Sequence, residues 1–330
     1  MIVIGNRTGH IIPWPKRKFF KDPEDWQKPF RTVGEVITDL SLESSYVNQT
    51  CHIPMKHKPL LIERYKYIEE GCRLDTDKLP EHLKKGYRTD KVKNYSHIFK
   101  RLHRNRPSLT MVPGHNAFPI HPILNRSLTP REAARIQTFP DKHIFIGTRR
   151  KQCILVGNAV APIVASKIAM QIKSHLSNKI SKNENLILSK KDQLNVVPIT
   201  TKTKNKNSLN FVDFFSGAGG ISIGLKNAGY NCILSNDFDI NVKQTYENNF
   251  PNEKFIYGDI RKPNIEKEIF NCIGNKKIDL VVGGPPCQGF SNLGRGKKKQ
   301  LKKEEIGLDQ KVFIEDPRNQ LFKYFLDFVE

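Results

Sequence analysis

The chain has 330 residues, enough to bury a sizeable core in one large domain and a smaller one. Its 55 Lys and Arg outweigh 33 Asp and Glu, and the formal net charge of +22 favours polyanionic partners, nucleic acid first. The six cysteines, at 51, 72, 153, 232, 272 and 287, form no Cys-x-x-Cys pair, which speaks against a zinc site or a disulfide scaffold. No apolar run reaches the roughly 18 residues of a membrane span. The start, MIVIGNRTGH, lacks the basic and apolar regions of a signal peptide, so the chain reads as soluble and cytoplasmic with reduced thiols.

Residues about 20 to 120 are dense in Lys, Arg, His and Pro, with short amphipathic pieces such as LLIERYKYIEEG. LTPREAARIQTFPD then predicts a capped helix, with Thr129 as N-cap, Pro130 at the first helical position and Glu132 three residues after the cap. QCILVGNAVAPIVASKIAMQI reads as a strand or turn followed by a long apolar helix. Residues 174–208, rich in Lys, Asn and Ser and poor in aromatics, read as a linker.

After the linker, strands and helices alternate. NFVDFFSG predicts a strand running into a turn, and GGISIGLKNAG a helix ending at Gly229. YNCILSND is a second strand, INVKQTYENNF a helix, KFIYGDI a short third strand and NIEKEIFNCIG a helix. KIDLVVGG is a fourth, fully buried strand. NQLFKYFLDFVE opens a helix with Leu321, Phe325 and Phe328 or Val329 on one face. Such alternation predicts a doubly wound, mostly parallel α/β sheet.

In such sheets, ligands bind beyond the carboxyl ends of strands. Gly217, Gly219 and Gly220 in DFFSGAGG let backbone approach a ligand, although their spacing is not the dinucleotide fingerprint. Asp237, ending the second strand, is placed to accept from ribose hydroxyls. Phe238 can pack on an adenine, and Asp259 can accept from an exocyclic amine. Taken singly, each of these has a commoner reading as a cap or turn residue. Together, at successive strand ends, they describe a pocket for a nucleoside without an essential phosphate. Pro285 and Pro286 force the chain out of the sheet, and Cys287 follows at once.

These residues resemble the DNA cytosine-5 methyltransferases. DFFSGAGG is similar to the family's AdoMet-binding turn and GGPPCQGFS to its nucleophile turn. EDPRNQLF, LTPREAARIQTFPD and QCILVGNAVAP resemble three further signatures. The resemblance implies a Rossmann-like AdoMet-dependent methyltransferase fold with a smaller target-recognition domain. It implies S-adenosyl-L-methionine as cofactor, held by Phe215, Gly217, Ala218, Gly219, Gly220, Asp237, Phe238, Asp259, Ile260, Pro286, Leu321, Asn158, Ala159 and Val160. Cys287 is the implied nucleophile, with Gln288, Ser291 and Arg295 on double-stranded DNA. The order is unusual. The signatures that close most family members stand before the linker here and the opening ones after it, so the chain resembles a circular permutation.

On that reading residues 1–29 end a catalytic segment, and 30–125 form the target-recognition region. Residues 126–173 carry the closing motifs and a docking helix, 174–208 the linker, and 209–330 the cofactor and nucleophile half. YSHIFKRLHRNRPSLTMVPG, with its Arg, His and aromatic residues, is the expected place of sequence recognition. The family's Glu-Asn-Val and Gln-x-Arg-x-Arg signatures are absent, which implies a truncated chain or one part of a split enzyme that needs a complementary chain for turnover.

Cytosine carbon 5 is a poor nucleophile. A thiolate adding to carbon 6 makes an enamine-like species that can take an electrophilic methyl group. Enzymes that methylate amines resemble this fold but carry an aromatic residue after the double proline, so Cys287 argues for carbon methylation. The expected function is the modification component of a restriction-modification system, acting at the nucleoid on the site its cognate endonuclease reads. RNA methylation, or a catalytically silent DNA-binding subunit, is the alternative.

Overall fold

The computed structural model describes residues 2–6, 11–24, 27–40, 51–84, 99–111, 118–177, 208–285 and 321–329. The chain divides into two compact units: Met1–Thr201 with Ile223–Ala228, and Lys202–Ser222 with Gly229–Glu330.

In the first unit a two-residue parallel pair, β1 (Phe19–Phe20) and β2 (Lys28–Pro29), precedes helix α1 (Val33–Ile37). Thr32 and Glu35 form a capping box at the start of α1. Helices α2 (Pro59–Lys66) and α3 (Glu81–Lys84) follow, and Tyr65, Ile68 and Ile120 form a small core with Leu61, Leu74 and Phe99 against it. Arg101 is buried beside that core, and its guanidinium is fully engaged. Its Nε donates to the Ile68 carbonyl at 2.6 Å, and its other nitrogens donate to the carbonyls of Tyr65, His121 and Leu124 and to Asn125 Oδ1 at 2.7–3.0 Å. Five acceptors for five N–H groups make this arginine a pin for the fold.

Helix α4 (Pro130–Ile136) has the predicted capping box between Thr129 and Glu132, with Pro130 at its start. Helix α5 (Arg149–Asn158) replaces the expected strand or turn: Thr148 caps it, and Cys153, Leu155 and Val156 are buried. The apolar run CILV is compatible with either period, and the Thr148 cap decides for the helix. The chain turns extended at Ala159 and re-enters helix α6 (Pro162–Ser177). By length and composition the stretch Arg149–Leu176 could cross a membrane, the sole such stretch among the described residues, but the break at Ala159 divides it.

The second unit holds strand β3 (Asn210–Phe214), then helix α7 (Gly220–Asn227), whose rear stretch counts with the first unit. Strand β4 (Asn231–Asp237), helix α8 (Ile240–Asn249), strand β5 (Phe255–Tyr257), helix α9 (Pro263–Ile273), strand β6 (Leu280–Gly283) and helix α10 (Leu321–Asp327) complete it. The sheet order is β5-β4-β3-β6, every pair parallel. Val212, Phe214, Leu234, Ile256, Ile260, Ile265, Ile269 and Leu321 make its core, with Phe325 and Phe328 of the predicted apolar face against it. Val329, the alternative to Phe328, is exposed. β6 is half-buried rather than fully buried, because among the described residues it pairs on one side only.

Candidate functional site

Register brings the strand ends together. Phe214 stands opposite Asn236 on one side and Gly283 on the other, and Asp237 stands opposite Tyr257. The turn from Phe215, the pair Asp237–Phe238, the turn Gly258–Asp259 and the exit Gly284–Pro285 therefore share one edge of the sheet. The separate sequence expectations for Gly217, Asp237, Phe238 and Asp259 meet there.

The glycine turn is held in a fixed shape. Phe215, Gly217 and Gly219 all have positive φ, at 53°, 53° and 81°. Ser216 N donates to the Asn236 carbonyl (3.1 Å), and Gly217 N donates to Asp237 Oδ2 (3.1 Å). A Cβ on Gly219 would lie 2.6 Å from the Phe250 ring, whereas one on Gly217 would meet nothing within 4 Å. So Gly219 is required by packing, and Gly217 faces open space. Gly220, the first residue of α7, and Ala218 are buried behind the turn.

Asp237 does two things in this arrangement. Its Oδ2 anchors Gly217 and its Oδ1 accepts from Asp239 N at 3.0 Å, while burial pushes its carboxyl above the ordinary carboxylate range. Phe238 projects outward, 62% exposed, an aromatic face without a core role. Asp259 accepts from Arg261 through a two-pronged contact: Nε to Oδ1 at 3.0 Å and NH2 to Oδ2 at 2.6 Å. The Arg261 hydrogen bonds hold the Asp259 carboxyl below its usual range. Ile260 and Leu321, expected at the cofactor, are buried core residues at 3% and 7% exposure.

Beneath the turn, Asp213 is wholly buried on β3. Ser235 donates to the Tyr246 hydroxyl (2.7 Å), Tyr246 to Ser222 Oγ (2.8 Å), and Ser222 to Asp213 Oδ2 (2.7 Å). Asp213 Oδ1 and the buried Ser216 hydroxyl have no hydrogen-bond partner among the described residues. Burial, helped by nearby Asp237, pushes the Asp213 carboxyl up to about 7. The open space at Gly217, the exposed Phe238 ring and the Asp237 carboxylate thus stand at one end of the sheet, groups whose chemistry suits a nucleoside.

The family model described as C-5 cytosine-specific DNA methylase matches residues 1–174 and 209–330, most of the chain. The chain belongs to this family. Among curated relatives, the chain is 38% identical over 123 residues to the type II methyltransferase M1.HphI of Haemophilus parahaemolyticus, covering 37% of this chain and 29% of that protein. It is 41% identical over 124 residues to M.DdeI of Desulfomicrobium norvegicum, 37% and 25% of the two chains. It is 30% identical over 199 residues to M.NgoFVII of Neisseria gonorrhoeae, 58% and 50% of the two. These matches span a quarter to a half of the relatives' own lengths.

Other expected site residues of the chain fall elsewhere. Pro286, Cys287, Gln288, Ser291 and Arg295 lie outside the described residues. Asn158, Ala159 and Val160 lie in the first unit, at the break between α5 and α6. There Gln137 Nε2 donates to the carbonyls of Val156 (3.3 Å) and Ala159 (3.5 Å). In the expected recognition stretch Arg101 is committed to the fold, and Arg104 pairs with Glu70 at 2.9 Å. A cleft of about 430 Å³ in this unit is lined by Arg31, Ser108, Thr110, Arg135, Gln137 and Thr138, among others. The Arg135 charge is met there by Asp39 (2.5 Å) and Asp141 (2.7 Å).

Sequence reasoning missed the Asp213–Ser222–Tyr246–Ser235 chain and the role of Arg261. The first has no sequence signature, because its members come from four separate elements. The Asp-x-Arg spacing of Asp259 and Arg261 was a readable signal.

Proposed function

We propose that this chain carries the cofactor and nucleophile parts of a DNA cytosine-5 methyltransferase, the modification component of a restriction-modification system in the cytoplasm. The observation that carries the proposal is the convergence of the glycine turn, Asp237–Phe238 and Asp259 on one edge of a parallel sheet, with Pro285 leaving that edge two residues before Cys287. S-adenosyl-L-methionine, when bound, supplies a methyl group made electrophilic by its sulfonium. Asp237 would hold its ribose hydroxyls and Phe238 would stack on its base, and the Gly217 backbone leaves room for its chain.

The Cys287 thiolate would add to carbon 6 of a cytosine taken out of the duplex, placing electron density on carbon 5 for the methyl transfer. Residues 30–125 are the proposed reader of DNA sequence. The type II names of the relatives support the restriction-modification assignment.

We also propose the permuted order. Its support is within the first unit: a Cβ on Gly224 of α7 would lie 2.5 Å from the Ala165 Cβ and 2.6 Å from the Pro162 carbonyl oxygen of α6. Lys173 Nζ donates to the Ala228 carbonyl at 3.0 Å. The helix after GNAVAP is thus packed on the helix opened by the glycine turn.

The test is covalent trapping on duplex DNA containing 5-fluorocytosine, with S-adenosyl-L-methionine. It is run with the chain alone and with a supplied segment bearing the Glu-Asn-Val and Gln-x-Arg-x-Arg signatures. A denaturation-resistant adduct in either arm that disappears in Cys287→Ser is the expected result. No adduct in either arm, or one that survives Cys287→Ser, would overturn the proposal.

A further inference from the structure

The Asp259–Arg261 pair is built more tightly than its exposure warrants. The side chains are 26% and 38% exposed, a setting in which an ion pair adds little to stability. Yet Asp259 is held from three directions. Arg261 N donates to Oδ1 (3.0 Å), Arg261 Nε is shared between Oδ1 (3.0 Å) and Oδ2 (3.1 Å), and NH2 donates to Oδ2 at 2.6 Å. The preceding Gly258 has φ 153° and donates to the Asp237 main-chain carbonyl at 3.0 Å, which ties this turn to the end of β4. A Cβ at Gly258 would lie 2.4 Å from Ile265, so the turn is also fixed from beneath.

A carboxylate offers about four acceptor positions. Three N–H groups of Arg261, one of them shared between the two oxygens, meet these positions among the described residues, which leaves room for one further donor. We infer that Arg261 is a positioning residue for base selection: it locks the Asp259 carboxylate in one rotamer, with a single acceptor site left to receive one N–H of the adenine exocyclic amine. The inference rests on the cofactor reading above and adds a determinant to it. The arginine itself need not touch the ligand. A planar fork fixes both oxygens at once, whereas a lysine would supply charge without orientation.

The probes are S-adenosylhomocysteine and its deaminated counterpart S-inosylhomocysteine, titrated calorimetrically into the purified full chain. The wild type is expected to prefer the adenosyl compound. In Arg261→Met the adenosyl affinity falls about tenfold while the inosyl affinity changes less than about twofold, because the latter has no amine to place. Arg261→Lys is expected to fall between wild type and Arg261→Met for the adenosyl compound. Equal losses for both ligands would mark a merely structural residue and overturn the inference, as would discrimination that persists undiminished in Arg261→Met. A wild type that binds neither compound would overturn the cofactor reading, and this inference with it.

Discussion

Asp213 carries a cost that its surroundings only partly offset. One oxygen is bonded to Ser222, the other has no partner among the described residues, and burial raises the carboxyl to about 7. A folded-state value above that of the unfolded chain means that the native protein holds a proton the unfolded chain has released. Stability is therefore drawn down as pH rises from about 4 through about 7. In Asp213→Asn that loss is absent. The urea midpoint of the variant relative to wild type is expected to move upward between pH 5 and pH 8, and a pH-independent difference would refute the assignment. At this scale the placement of Asp237 and Phe238 at a strand end was readable, because the apolar run before them and the polar turn after them stand in one line of sequence. Arg101 was not. In sequence it is one of several arginines in a basic stretch, and only the fold converges five acceptors on it. Arg101→Met leaves those carbonyls unpaired and is expected to cost about 3 kcal/mol or more in chemical denaturation.

Among elements, α4 and the α6–α7 contact carry the first unit. Glu132 is buried at the start of α4. Burial alone would raise its carboxyl, but the Arg126 fork (2.8 and 2.6 Å) and the Thr129 backbone bring it below the usual range. Arg126→Met would strand that carboxylate, and an unfolding free energy lower by about 3–5 kcal/mol is expected, consistent with the cost of breaking a buried pair. The α6–α7 contact has no room for a side chain. Gly224→Ala forces a methyl group onto Ala165 and Pro162, and a loss of about 1–3 kcal/mol is expected from overpacking. An unchanged denaturation midpoint would mean that the two helices are not packed as described. The capping box of α4 and each strand after the linker could be read from sequence because caps and alternation are local. The helix α5 could not, since four consecutive apolar residues fit a strand as well as a helix. The half-burial of β6 could not be read either, because it depends on which strand lies beside it.

For the whole molecule, charge and protons set the conditions of work. With a net charge of +22, the logarithm of DNA affinity is expected to fall linearly with the logarithm of salt, affinity dropping by at least about a hundredfold between 50 and 200 mM. Burial lowers His52, His57 and His121, the last to about 4. As pH falls below about 6.5 the unfolded chain takes protons that these folded imidazoles refuse, so their contribution to stability drains away down to about 4. His121→Gln is expected to flatten that part of the pH profile. The fold class and the strand-end placement of Asp237, Phe238 and Asp259 were legible in the sequence. The networks that hold them were not, because each joins residues far apart in the chain. The most direct measurement is equilibrium dialysis of labelled S-adenosyl-L-methionine against the wild type and against the double variant Asp237→Ala, Phe238→Ala. Saturable binding by the wild type that is lost in the variant, with the sheet intact by circular dichroism, is the predicted result. Equal binding by both proteins, or none by the wild type, would contradict the account.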